Sequence, residues 1–228
     1  MNILPFTLLG FGFLLGIKHA LDADHIAAVS TIVSRNKSIK ESSLVGMFWG
    51  FGHAIALLAI GFIILLLKIA IPEKIALSFE LIVGIMLVLL GINLLMQIYK
   101  DKVHVHKHNH GKEKHIHFHT HKHTRQHSHT HSSSLYIGLL HGLAGSAALS
   151  LLVLSTINSI WLGLLYILIF SIGSIMGMML ISSIIAIPFK LIPKKLENTK
   201  TLLRASSALI SIIIGLSVIY STWTGGLL

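Results

Sequence analysis

The sequence predicts an all-α integral membrane protein of about six transmembrane helices, built as two inverted three-helix repeats. Three observations carry this expectation. Of 228 residues, 54% are hydrophobic and only 11% are charged, with a mean hydropathy of +0.81; a soluble domain carries about 25% charged residues. Several apolar runs reach the roughly 20 residues needed to cross a bilayer. Such runs must be helices, because lipid offers no partner to an open sheet edge. Finally, the runs before and after a histidine-rich stretch resemble one another at a near-constant offset.

The apolar runs are 3–34, 44–67, 81–99, 135–155, 160–187 and 205–223. The first is too long for one straight span: 32 residues make a helix of about 48 Å, against a hydrocarbon core of about 30 Å. An ionisable cluster sits in its middle, so it reads as one span that is broken or tilted. Were it two spans, the N-terminus would change sides. The fourth and fifth runs are joined by Thr156-Ile157-Asn158-Ser159, whose polar residues suit a tight turn between antiparallel helices.

Basic residues set the orientation. With six spans, fifteen Lys and Arg fall on one side, from Arg35 to Arg204, and only Lys68 and Lys74 on the other. This bias places the first side in the cytoplasm and both termini outside, in a plasma (cell inner) membrane. It also accounts for the net charge of +10 without nucleic acid as a partner. The chain has no cysteine, which excludes disulfides and thiolate metal sites. The N-terminus lacks a basic region before its apolar run, so no separate signal peptide is expected.

Residues 101–134 differ in kind. Twelve of the 16 histidines lie between His104 and His131, interleaved with Lys, Thr and Ser. This composition buries no core and predicts disorder without a ligand. Its many imidazoles suit nickel, cobalt, copper or zinc. The stretch divides the chain into a first membrane repeat, 1–100, and a second, 135–228.

The halves share landmarks. His19 and His141 are 122 apart, Gly52 and Gly173 121, and Gly91 and Gly215 124. Three spans per unit force the second copy to enter from the opposite side, and inverted repeats place a transporter's binding site near the midplane. The acids have no copy, so the predicted site is asymmetric.

That site centres on His19-Ala20-Leu21-Asp22-Ala23-Asp24-His25. Ionisable groups in a bilayer are costly and mark ion paths or ligand sites. Histidine with aspartate is ligand chemistry for a divalent transition metal. On an unbroken helix His19, Asp22 and His25 share a face within about 120°. Asp24 falls off it, so either the helix unwinds there or Asp24 orients a liganding histidine. A polar knot with Lys18 paired to Asp22 is the competing reading, but it does not need two acids and two histidines. His53, beside Gly50 and Gly52, and His141, among Gly138, Gly142 and Gly145, complete the candidate metal residues. Asn93 and Gln97 share a face of the third span, which suggests a hydrogen bond between helices.

Lys18-His19 through His25-Ile26 resembles the signature of the nickel/cobalt transporter (NiCoT) family, and Phe51-Gly52-His53 is similar to its second histidine motif. The larger members have about eight spans and further acidic motifs in later helices, which are not found here. The chain resembles the short six-span relatives associated with urease, with Leu140 to Gly145 fitting the second half. The resemblance implies His19, Asp22, Asp24 and His25 as metal-site residues, with His53 beside them. It implies Ni²⁺ or Co²⁺ as cargo, no cofactor, and nickel chaperones or urease maturation proteins as cytoplasmic partners.

The expected function is therefore secondary transport of Ni²⁺, and by extension Co²⁺, into the cell. Efflux, with the histidine loop sensing excess metal, is the alternative. No Walker A motif points to ATP drive. No His-Glu-x-x-His helix points to a metalloenzyme, and no enzymatic activity is expected.

Overall fold

The computed structural model describes residues 4–36, 38–103, 106–110, 113–117, 129–157, 159–193 and 196–227. They form α1 (Leu4–His19), α2 (Ala23–Val33), α3 (Ile39–Leu67), α4 (Glu73–Val103), β1 (His106–His110), β2 (Glu113–His117), α5 (His129–Thr156), α6 (Ile160–Leu191) and α7 (Glu197–Thr222). A π-helical turn, Trp223–Leu227, continues α7. Among the described residues, four helices are long and apolar enough to cross a membrane: Ile39–Leu67, Glu73–Asp101, Ile160–Leu191 and Glu197–Gly225. Their outer faces are apolar, with Phe62, Ile63 and Leu66 exposed on α3 and Leu180 and Ile184 on α6. The chain is an all-α membrane protein whose solvent along these faces is lipid.

Local chemistry sets the ends of the helices. The Ser38 hydroxyl accepts from the Glu41 backbone N–H at 3.1 Å and opens α3. Lys68, at φ 52°, closes it in the left-handed conformation. Ser159 opens α6, accepting from Leu162 N–H. The run 3–34 is divided at Ala20-Leu21-Asp22. There the N–H groups of Leu21 and Asp22 donate three residues back, to Lys18 and His19 carbonyls at 2.8 and 3.1 Å. This tightens the last turn of α1, as helix ends often do. Asp22 then takes an extended conformation and Asp24 enters the first turn of α2, where the helix dipole favours a carboxylate.

Small residues fix how the helices meet. A Cβ on Gly16 would strike the Phe170 carbonyl of α6, and one on Gly138 would strike the Trp49 carbonyl of α3. Likewise Gly173 abuts Phe13, and Gly52 abuts Leu135. Each contact recurs with the halves exchanged. The same holds for α4 and α7, where Gly91 meets Ala208 and Gly215 meets Gly84. Gly46 and Gly50 bring α3 against Met178 and Ile175 of α6. Gly12 lies against Tyr166 near the start of α6, and Lys190 near its end donates to the Asn36 carbonyl just beyond α2. Thus α1 and α2 together run the length of α6. Trp49, Val29, Met178 and Leu87 are buried where these helices converge.

At that same end Arg204 of α7 pairs with Asp101 of α4 at 3.1 Å. Arg35, in the α2–α3 connection, lies nearby. Burial first, then the Arg204 guanidinium, pulls Arg35 down to about 10, with Asp101 opposing. It stays charged at neutral pH.

One expectation is corrected. Gln97 Nε2 donates to Asn93 Oδ1 at 3.1 Å within α4, on an exposed face, rather than across helices. One turn apart, the two amides satisfy each other locally. In the histidine-rich stretch β1 and β2 pair antiparallel; the expectation of disorder over 101–134 falls in part on residues 104–105, 111–112 and 118–128, which lie outside those described, while 101–103 and 129–134 continue α4 and α5.

Candidate metal centre

The break between α1 and α2 turns the motif inward. His25 leads into α2 and is 1% exposed. His19 ends α1, His53 lies midway along α3 and His141 midway along α5, the last two fully or nearly buried. The His25 and His141 rings are 4.0 Å apart between centroids, and His19 and His25 4.7 Å. Trp49 stacks beside His25 at 6.0 Å and closes that side with an apolar wall.

Hydrogen bonds define the role each nitrogen can take. His19 Nδ1–H donates to Asp22 at 2.8 Å, and His25 Nδ1–H donates to Asp24 at 3.0 Å. Each carboxylate thereby fixes a tautomer that leaves Nε2 with its lone pair free to bind a metal, the arrangement found around metal-ligating histidines. His25 Nε2 is buried with no hydrogen-bond partner among the described residues. His53 Nε2 lies 3.2 Å from His19 Nε2. One nitrogen each from His19, His25 and His53 therefore falls within 4.8 Å of the others. Ligand nitrogens about 2.1 Å from a metal are reached by a small inward shift of the three rings.

Asp24 does more than orient one ring. Its Oδ1 also accepts the His25 backbone N–H at 2.8 Å, and its Oδ2 accepts His141 Nε2–H at 2.9 Å. A carboxylate with three donors is well satisfied, and it locks His25 and His141 together. Asp24, His25 and His141 also form a second donor triad. Asp22, by contrast, is 49% exposed and stands on the outer side of His19. Lys18 is not its partner in the ion pairs among the described residues; His19 is.

A cavity of about 520 Å³ leads to His19. Lys18, Asp22, Asp24, Glu80 and Ser221 are among its lining. Glu80 lies in the first turns of α4 and Ser221 in the last turn of α7, the ends of those helices away from the α4–α5 connection. Glu80 escaped the sequence reading because it stands one residue before the apolar run 81–99. An acid inside the longer helix that actually forms is the signal that could have found it. Gly145 also belongs to the site: a Cβ there would lie 3.5 Å from both His19 Nε2 and His53 Cε1, so its bareness keeps the space beside them open.

Comparison with known proteins agrees with this chemistry. The sequence model of the NicO family, described as high-affinity nickel-transport protein, matches residues 6–225. The urease accessory protein UreH of Bacillus sp. (strain TB-90) is 41% identical over 215 residues, 94% of this chain and 91% of that protein. The chloroplast protein FOR GROWTH AND FERTILITY 1 of Arabidopsis thaliana is 27% identical over 216 residues, 94% of this chain but 59% of that longer protein. No solved structure matches the chain. With nearly its whole length matched, the chain belongs to the NicO family of high-affinity nickel-transport proteins.

Proposed function

We propose that this nickel permease carries Ni²⁺ into the cell through an intramembrane site made by His19, His25 and His53. One observation carries the assignment: three imidazoles converge, two of them buried and the third at the cavity, and carboxylates hold two of them with Nε2 unprotonated. Imidazole suits nickel, and cobalt by the same chemistry. Asp22 and Asp24 orient the ligands and offset the cost of a divalent charge in a low-dielectric setting. His141 holds Asp24 from behind. Three protein ligands leave the remaining coordination positions facing the cavity, so the ion is held yet able to leave.

In this reading the chain crosses the membrane six times, α1 and α2 counting as one broken crossing. Residues 1–100 and 135–228 are inverted repeats, and 101–134 is the loop between them. The reciprocal glycine contacts support the duplication. The excess of Lys and Arg puts that loop and the Arg204–Asp101 pair on the cytoplasmic side, with both termini outside. The cavity, lined by Glu80 and Ser221 at the opposite ends of their helices, then opens outward. An outward entrance leading to the site, with the cytoplasmic ends tied together, suits uptake. The similarity to a urease accessory protein supports urease maturation proteins or nickel chaperones as recipients of the metal.

The test is cellular nickel content by elemental analysis, in cells grown in trace nickel and expressing the parent chain or His25→Ala. The parent should raise nickel, and the variant should lose that rise while remaining in the membrane fraction. Undiminished accumulation by His25→Ala would overturn the site, and a lowered nickel content with the parent would reverse the direction.

A further inference from the structure

Three separate parts of the chain bring charge to one level. Arg35 directly follows the apolar run 3–34, Asp101 stands two residues after 81–99, and Arg204 directly precedes 205–223. Packing of α2 against α4 and α7 draws the three together. Arg204 Nη1 donates to Asp101 Oδ2 at 3.1 Å, and the charges of both act on Arg35. Lys190, three residues past the run 160–187, donates to the carbonyl of Asn36, the residue after Arg35. Residues that bound apolar runs lie where the hydrocarbon core gives way to lipid headgroups. Tyr99, the last residue of the run 81–99, is exposed there, as aromatic side chains are at that depth.

The cluster is not satisfied from within. Arg35 takes part in none of the ion pairs among the described residues. The Nε atoms of Arg35 and Arg204 are both buried, with no hydrogen-bond partner among the described residues. Asp101 is 62% exposed while Arg204 is 17% exposed, so the acid leans outward and the guanidinium stays in. Two guanidinium groups thus share one carboxylate. Glu41 and Lys200 both lie close to Lys190, so that acid is already matched by two cations. A charged donor buried without an acceptor is costly, and like charges held together call for an anion between them. The guanidinium offers a planar fork of donors that pairs two-pronged with phosphate. Basic pockets between membrane helices at the level of the headgroups are where anionic headgroups bind.

We propose that Arg35 and Arg204 clamp the phosphate of an anionic phospholipid at the seam between the α2–α3 connection, α4 and α7. The phosphate bridges the end of α2 to the first turns of α7, and α2 is the helix whose first turn carries His25. The binding depends neither on the direction of nickel transport nor on which leaflet this end meets.

The test uses the purified full-length protein in a neutral detergent, with a fluorescent phosphatidylglycerol as probe. The parent should bind it. Unlabelled phosphatidylglycerol should displace it at concentrations at least tenfold lower than phosphatidylcholine or inorganic phosphate. Arg35→Gln should weaken probe binding at least tenfold, and Arg35→Lys, which keeps the charge but not the fork, by a smaller factor. Lys74→Gln, which removes one positive charge at the other end of α4, should bind as the parent does. Gel filtration reports whether each variant is folded. Displacement by phosphatidylcholine as readily as by phosphatidylglycerol, or equal binding by Arg35→Gln and Lys74→Gln, would overturn the site. Were Arg35→Gln misfolded, unchanged binding by Arg35→Lys would overturn it instead. Inorganic phosphate acting as well as the lipid would make this a site for the free ion and overturn the lipid assignment.

Discussion

At the scale of single residues, Asp24 and Asp22 are chemically alike and structurally unlike. Asp24 accepts three hydrogen bonds and ties His25 to His141, whereas Asp22 accepts from His19 and stands half in the cavity. Asp24→Asn removes the charge and one acceptor, so it should weaken Ni²⁺ binding by the roughly 10–100-fold typical of lost orienting partners. Asp22→Asn should cost less. Equilibrium dialysis of the purified variants decides, and an equal effect would mean that both acids act alike. Spacing alone revealed that His19, Asp22 and His25 belong together. It put Asp24 off that face and left open whether the helix unwinds there or Asp24 orients a histidine, because the phase of a side chain depends on where the helix stops. Only the extended Asp22 backbone sets that phase.

At the scale of elements, helix pairs are held by backbone approach more than by interlocking large side chains. Gly138 lies on the Trp49 carbonyl, which no rotamer change can move aside. Gly138→Leu should therefore cost more than the roughly 1–3 kcal/mol of ordinary overpacking, lowering Tm by about 4 °C or more. Gly10, with nothing near its would-be Cβ, is the matched control, and Gly10→Leu should leave Tm unchanged. The periodic glycines were readable as landmarks at offsets near 122, and the contacts they make repeat across the halves. Their partners were not readable, since glycine names a close approach without naming what approaches. Glu80 and Ser221 show the same limit: α4 and α7 bring them to the cavity by packing, and no local pattern links them to His19. Asn93 and Gln97 were misjudged because an amide one turn away is the nearer partner.

At the scale of the whole molecule, one end is fastened and the other holds the cavity. The Arg204–Asp101 pair is largely exposed on the Asp101 side, and pairs of that kind contribute about 0–1 kcal/mol, a hold slight enough to be released in each cycle. The proposed orientation can be read directly, since the chain has no cysteine of its own. Ser221→Cys should react with a membrane-impermeant maleimide in intact cells, and Lys200→Cys only after permeabilisation; the opposite pattern would invert the topology. The gap between α1 and α2 ties these ends to the chemistry. α1 is seated on α6 through Gly16 and Gly173, while α2 lies among α4, α6 and α7. His19 travels with the first of these pieces and His25 with the second. Any sliding of α6 relative to the α4–α7 pair is thus delivered to the three residues between them as a change in the bite of the ligand set. The same joint that gathers the imidazoles is, if the proposed site holds the ion, the place where a movement of the bundle would pull them apart and let it go.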